Sequence, residues 1–213
     1  MGEEKSCFTK TDVVNEEQVR VAVEAAATKF GTIHACINCA GIIPVVHTIT
    51  SKTLMDLETF RETIEVNVYG NIHATRHAVK YMVKNTKVPS IGGTGERGVI
   101  INIASIAAFE GGRGNVAYSA SKAALVGMTL PMARDLGRFG IRVVSISPGM
   151  FDTPMARSFG NGKMTMAEFA KHMLPKRYGT PAEFAHLAKT VIENSYLNGV
   201  DLKLDGGHVN SKI

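Results

Sequence analysis

The sequence predicts an α/β fold: one open parallel sheet with helices packed on both faces. Three observations carry that expectation. Short β-branched apolar runs at 33–39, 99–104, 141–147 and 200–204 have the length and composition of buried strands. Amphipathic stretches at 16–30, 56–85, 116–140 and 181–194 separate them, and strands alternating with helices at this spacing pair in parallel. Ser105 ends the second run, while Tyr118 and Lys122 lie on the helix that follows. These three side chains can meet in the crevice outside the carboxyl ends of the strands, where open α/β sheets bind ligands.

Taken in order, residues 6–11 read as a short first strand, ended by Asp12 and Val13. Asn15 with Gln18 three residues on makes a capping box, which opens a helix that Gly31 stops. Val19, Val23, Ala26 and Ala27 form its apolar face. The strand at 33–39, closed by Gly41, then completes a βαβ unit with an expected right-handed crossover. Residues 42–53 form an apolar loop, readable either as packed surface or as a wall of a substrate site. From Asp56 a helix leads through Phe60 and Ile64 to Asn67 and continues or restarts to about 85. The loop 86–98 carries Gly92, Gly93 and Gly95, but it precedes a strand rather than opening a helix, so it does not suit phosphate.

A Gly-rich loop at 111–114 joins the Ser105 strand to the Tyr118 helix. That helix runs past Leu125, Met128 and Leu136, and Pro131 within it is expected to kink it or remove one backbone bond. Pro148-Gly149 ends the third run. A short helix is expected within 159–177, capped by Thr165 and Glu168. Met150, Met155, Met164, Met166 and Met173 provide either adaptable substrate surface or ordinary core. Thr180-Pro181-Ala182-Glu183 combines an N-cap, a proline at N1 and a glutamate at N3, a strong helix start. Gly199 turns into the last strand, followed by Asp205-Gly206-Gly207. With no repeats or linkers, residues 1–213 read as a single domain.

Composition narrows the function class. Hydrophobic content of 45% and charged content of 20% are globular values. A net charge of +5 suits anionic small ligands such as dinucleotides or CoA thioesters. The aromatic and basic interleaving of nucleic-acid modules is missing. Cys36-x-x-Cys39 has no second cysteine pair and no suitably spaced histidine, so no metal site is expected. Three cysteines without a disulfide framework point to a reducing compartment. No apolar run is long enough to span a membrane, and the start Met-Gly-Glu-Glu-Lys reads as neither a secretory signal nor a transit peptide.

The chemistry resides in the Ser105–Tyr118–Lys122 set. Tyr118 and Lys122, four apart, share a helix face. A free tyrosine has a pKa of ~10 and is a poor base at neutral pH. A cation ~4 Å away contributes up to ~4 kcal/mol at an effective dielectric of ~20, enough to bring the phenol to roughly 7–8. Such a phenol can take a proton from an alcohol or return one to a carbonyl, with Ser105 holding the substrate oxygen. A nicotinamide beside it would take the hydride.

Further motifs carry a family resemblance. Asn38-Cys39-Ala40-Gly41 resembles the Asn-Asn-Ala-Gly signature of the short-chain dehydrogenase/reductase family. Asn67, in Glu65-Val66-Asn67-Val68, matches its helix asparagine, and Ser105, Tyr118 and Lys122 match its catalytic residues. The likeness spans nearly the whole chain. It is greatest to members acting on 3-hydroxyacyl-CoA and hydroxysteroids, through Ala107-Ala108-Phe109-Glu110-Gly111, Gly127-Met128-Thr129-Leu130-Pro131 and Leu204-Asp205-Gly206.

The resemblance implies a Rossmann-like doubly wound parallel sheet, N-terminally truncated. The first two family strands, with the Gly-rich turn for pyrophosphate and the acidic residue that selects NAD over NADP, have no counterpart. The edge of strand 33–39 is then bare, and either strand 6–11 shifts across to pair with it or another chain covers it. The implied reaction is hydride transfer between NAD and a secondary alcohol or ketone, with Asn67, Ser105, Tyr118 and Lys122 catalytic. Tyr118 is the acid/base, Lys122 lowers its pKa, Ser105 orients the substrate oxygen, and Asn67 holds a relay water. Ser105 and Tyr118 bind substrate. For the cofactor, Asp12 and Val13 match the adenine contacts, Cys39 and Gly41 the ribose-side floor, Tyr118 and Lys122 the nicotinamide ribose, and Phe151 and Thr153 the nicotinamide half. The resemblance further implies a mitochondrial homotetramer, with the cytoplasm as the other location. A non-catalytic scaffold beside a tRNA methyltransferase in mitochondrial tRNA processing is the alternative role.

Overall fold

The computed structural model describes residues 5–89, 95–158, 170–171 and 173–208. Four parallel strands stand in chain order: β1 (Ala35–Asn38), β2 (Gly98–Ile103), β3 (Ile141–Pro148) and β4 (Asp201–Leu204). Registers such as Ile37 on Ile101 and Ile101 on Val144 align the β-branched residues in rows. Helices α1 (Glu16–Phe30), α2 (Leu57–Ile64), α3 (Gly70–Met82), α4 (Val116–Gly137), α5 (Pro154–Ser158) and α6 (Pro181–Glu193) surround the sheet.

Two apolar cores follow from strand alternation. On one face Ile100, Ile141 and Val143 pack with Ala78 and Met82 of α3 and Ala133 of α4. On the other, Val99, Ile101, Val144 and Ile146 pack with Ala188 and Val191 of α6. Both faces of β2 and β3 are therefore covered, which is why those strands read as continuous apolar runs. Burying each such side chain contributes ~1.5–3 kcal/mol.

The first expected strand does not form. Residues 6–11 carry no strand pairing, and Phe8 is 90% exposed, so neither the first βαβ unit nor a shift of this segment onto β1 is present. The physical reason is visible in the segment itself: Lys10 and Thr11 interrupt its apolar pattern, and its one apolar aromatic finds no surface to cover. Its neighbour α1 forms as expected, with Asn15 Oδ1 accepting from Gln18 N at 3.1 Å and Gly31 at φ 78° closing the helix. Gln18 does not complete a reciprocal box; its Oε1 accepts from Asp12 N at 2.9 Å, which ties the preceding turn to the helix. β1 is an edge strand, and its Ile37 remains 42% exposed.

The long helix expected from Asp56 is one path in three parts: α2, a π-helical turn over Glu65–Tyr69, and α3. Asp56 caps it by accepting from Glu58 N at 3.0 Å. α4 runs unbroken through Pro131. The expected helix start at Thr165 lies outside the described residues, as do Met164 and Met166.

At α6 the full capping box forms: Thr180 Oγ1 accepts from Glu183 N, and Glu183 Oε2 accepts from Thr180 N at 2.8 Å. Removing this cap by Thr180→Ala is expected to cost about 1 kcal/mol, read as a lower urea midpoint. No change in the midpoint would mean that Pro181 alone starts the helix.

Candidate active site

A cavity of about 540 Å³ opens at the carboxyl ends of β1, β2 and β3, lined by residues that follow each strand. Cys39 and Gly41 follow β1, Ser105 follows β2, and Gly149, Met150, Phe151 and Thr153 follow β3. Tyr118 and Lys122 reach in from the first turns of α4.

Ser105 is fixed by its own turn. It caps a 3-10 turn over Ile106–Ala108, its Oγ accepting from Ala107 N at 3.1 Å. The Ser105 and Tyr118 side chains line the same cavity, with the Ser105 hydroxyl near enough to favour the ionised phenol. Lys122 is buried and sends Nζ to the Ile103 carbonyl at 2.7 Å, across from the end of β2. Its Nζ lies 5.6 Å from the centre of the Tyr118 ring.

These positions correct one expectation. Lys122 does not pull the Tyr118 phenol down; burial pushes the phenol above its ordinary value, with the nearby Ser105 hydroxyl acting the other way. The ammonium faces the ring and the Ile103 carbonyl, so its effect on the hydroxyl is small beside desolvation.

Lys122 itself is brought down to about 8 by burial, opposed by the nearby Cys39 thiol. The unfolded chain holds this proton to about 10.5 and the folded chain only to about 8, so between those values unfolding takes up a proton. Stability relative to a Lys122→Met variant is therefore expected to rise as pH climbs from 8 to 10.5, by on the order of 3 kcal/mol. Urea unfolding of both proteins across that range measures it; a constant difference would show that the amine stays hydrated.

Asn67 sits on the π-helical turn and is fully buried. Its Oδ1 accepts from Ile42 N at 2.8 Å, and its Nδ2 donates to Ile42 O at 3.0 Å and to Ser121 Oγ at 2.9 Å. Both amide protons are thus committed within the protein. The side chain therefore braces the site.

The structure brings Cys39, Gly41, Ser105, Tyr118, Lys122, Phe151 and Thr153 around one cavity, with Asn67 directly behind. Asp12 and Val13 do not line it. Asp12 Oδ1 accepts from Val14 N at 3.0 Å, and Val13 packs against Gly70 while its carbonyl meets His73 Nδ1 at 3.0 Å. The turn they occupy is held by α1 and α3 instead. Ile43 from the 42–53 loop lines the cavity, and Val46 N donates to Gly114 O at 2.7 Å, so this loop is a wall of the site. Met150 and Met155 line it too, whereas Met173 is buried.

Burial raises the Cys36 thiol to about 11, with Cys39 adding to the effect, and it raises the Cys39 thiol against the pull of Lys122. Neither is a ready thiolate at neutral pH. Among the described residues no group of three or more His, Cys, Asp or Glu could hold a metal ion, and no helix is long and apolar enough to cross a membrane.

The cavity fits the nicotinamide-ribose half of a dinucleotide. A Cβ on Gly41 would lie 3.2 Å from Asn67 Oδ1 and 3.5 Å from Lys122 Nζ, so glycine keeps the floor open beside the amine. Tyr118, Lys122 and Thr153 supply the polar groups a sugar and a carboxamide require. The first turn of α1 carries Glu16 and Glu17, the wrong sign for pyrophosphate.

Sequence reading missed Ser121, Asn115, Arg113 and His208. The last three line the cavity, and Ser121 braces it from behind. Ser121 carried a readable signal, since it lies one turn beyond Tyr118 and beside Lys122. Arg113, on an exposed loop, and His208, after the last strand, carried none.

A parallel sheet flanked by helices, with a serine, a tyrosine and a lysine at its carboxyl edge, defines a Rossmann-like nicotinamide-dependent oxidoreductase. The family model described as enoyl-(acyl carrier protein) reductase matches residues 1–209, and the chain belongs to the short-chain dehydrogenase/reductase family. It is 45% identical over 205 residues to the 3-hydroxyacyl-CoA dehydrogenase type-2 of Bos taurus, covering 95% of this chain and 77% of that protein. The crystal structure of 3-hydroxyacyl-CoA dehydrogenase type-2 from Mycobacterium avium superimposes with a TM-score of 0.84 at 33% identity, over 97% of this chain and 78% of that one. ElxO with NADP bound gives a TM-score of 0.78 at 25% identity, over 94% and 77%. The scaffold role gains no support from these relatives over the dehydrogenase reading.

Proposed function

We propose that this oxidoreductase interconverts a 3-hydroxyacyl-CoA, or a hydroxysteroid, with the corresponding ketone, using NAD. The observation that carries the proposal is the convergence of Ser105, Tyr118 and buried Lys122 on one mainly apolar cavity at the carboxyl edge of the sheet. The dinucleotide, when bound, supplies the hydride acceptor or donor. Ser105 Oγ holds the substrate oxygen. Tyr118 Oη removes the alcohol proton in oxidation and returns it in reduction. Lys122 Nζ, fixed on Ile103 O, is placed to hold a ribose hydroxyl. Cys39 and Gly41 form the floor, and Phe151 and Thr153 stand at the nicotinamide end.

Because burial keeps the Tyr118 proton in place at neutral pH, the site favours donation to a ketone there, and oxidation gains as pH rises. The 45% identity to the 3-hydroxyacyl-CoA dehydrogenase type-2 of Bos taurus supports the acyl-CoA substrate, while NAD as the dinucleotide and assembly as a mitochondrial homotetramer rest on the family resemblance of the sequence motifs. The test is formation of reduced dinucleotide from 3-hydroxybutyryl-CoA or a 17β-hydroxysteroid with NAD and, separately, NADP. No turnover in any combination overturns the dehydrogenase reading; turnover with NADP alone overturns only the choice of dinucleotide.

A further inference from the structure

We propose that Ser121 is a positioning residue of this site, its hydroxyl clamping Asn67 to the turn of α4 that carries Tyr118 and Lys122. The proposal rests on the oxidoreductase reading for its catalytic consequence, and on geometry for the clamp itself.

The polarity of the network is forced. Ile42 N can only donate and Ile42 O can only accept, and both meet the Asn67 amide, at 2.8 and 3.0 Å. That pair fixes which end of the Asn67 amide is oxygen. The second Nδ2 proton must then point at Ser121 Oγ, 2.9 Å away, so the serine accepts. Its own proton goes the other way, to the Tyr118 carbonyl at 2.7 Å. One hydroxyl thus serves as acceptor and donor at once, with no solvent exposure (0%).

Position gives the clamp its consequence. Ser121 precedes Lys122 and follows Tyr118 by three residues, so its bond closes the helical turn that holds both. Asn67 extends the tie to the π-helical turn and, through Ile42, to the Gly41 floor below Lys122. Three chain segments that meet nowhere in sequence are thereby locked around the reacting groups. A methyl group at position 121 would leave the Asn67 proton without an acceptor in a buried site. The amide would have to rotate or the π-helical turn shift, and the floor would move with it.

The experiment compares Ser121→Ala, Ser121→Thr, Asn67→Ala and the Ser121→Ala/Asn67→Ala double variant in the full chain. We expect Ser121→Ala to lower kcat for 3-hydroxybutyryl-CoA oxidation about tenfold with KM within about twofold, and to displace the pH profile of kcat. Ser121→Thr, which keeps the hydroxyl, should recover most of the loss. Because Ser121 acts through Asn67, the double variant should fall no further than Asn67→Ala alone. Losses that multiply, or a Ser121→Ala kcat within about twofold of the unmodified protein, overturn the proposal.

An NMR measurement separates the clamp from the reaction. The Asn67 side-chain amide protons should exchange slowly with solvent in the unmodified protein and in Ser121→Thr, and about tenfold faster in Ser121→Ala. Fast exchange in the unmodified protein overturns the clamp even if Ser121→Ala fails to fold. If the unmodified protein turns nothing over, the dehydrogenase reading falls while slow Asn67 exchange still supports the clamp.

Discussion

Replacing Tyr118 by phenylalanine is expected to cut kcat for alcohol oxidation by ~10²–10⁴-fold while leaving the fold intact. The ring stays, so its packing beside Lys122 and the first turns of α4 is retained. Only the hydroxyl is lost, and with it the group that exchanges a proton with the substrate oxygen. Ser105 keeps the Ala107 N–H, so the 3-10 turn persists. Steady-state kinetics of both proteins, with urea unfolding as the control for folding, measure the effect. The remaining rate should also lose the rise with pH that the raised Tyr118 pKa imposes on oxidation. Activity within about tenfold of the unmodified protein would falsify the assignment of Tyr118 as acid/base.

The second large effect concerns stability. Arg142→Leu is expected to destabilise the protein by about 3–5 kcal/mol, the cost of leaving a buried charge without its partner. Arg142 lies within β3 and is 6% exposed, with its Nε on the Glu96 carboxylate. Its Nη1 donates to Val191 O at 2.9 Å and Leu197 O at 2.8 Å, and its Nη2 to Ile192 O at 2.9 Å. The guanidinium thus satisfies carbonyls at the end of α6 and joins that helix to the strand pair below. Leucine preserves bulk but abandons Glu96 and those three carbonyls. Arg142→Lys should rescue little, because one ammonium cannot reproduce a planar fork. Urea unfolding gives the answer, and a loss below about 1 kcal/mol would mean that water replaces the fork at little cost.

Where local chemistry decided the outcome, the sequence was a good guide. Asn15, Asp56 and Thr180 announced three helix starts because capping depends on residues within one turn. Strands β2 and β3 were visible because burial on both faces demands unbroken β-branched runs. The Tyr118–Lys122 spacing needed only helix geometry. Residues 6–11 misled because strand formation requires a neighbour, and a local apolar pattern cannot supply one. The π-helical turn around Asn67 was likewise hidden, since the Ile42 and Ser121 groups that hold it lie 25 and 54 residues away. Arg142 sits in a buried strand because Glu96 and the end of α6, distant in sequence, surround it. The direction of the Tyr118 shift depended on burial against the aim of the Lys122 ammonium, which is a three-dimensional quantity.

The sheet contains no hairpin. Ala35 pairs with Val99, Gly98 with Ile141 and Ser145 with Asp201, so every ladder joins residues more than forty positions apart. Closing such loops costs chain entropy before any ladder repays it. Assembly of this domain is therefore governed by distant encounters, which places its folding time toward the slow end, in the range of milliseconds to seconds. During that interval the Val- and Ile-rich segments of β2 and β3 travel unpaired, and a newly made chain has most need of a chaperone then.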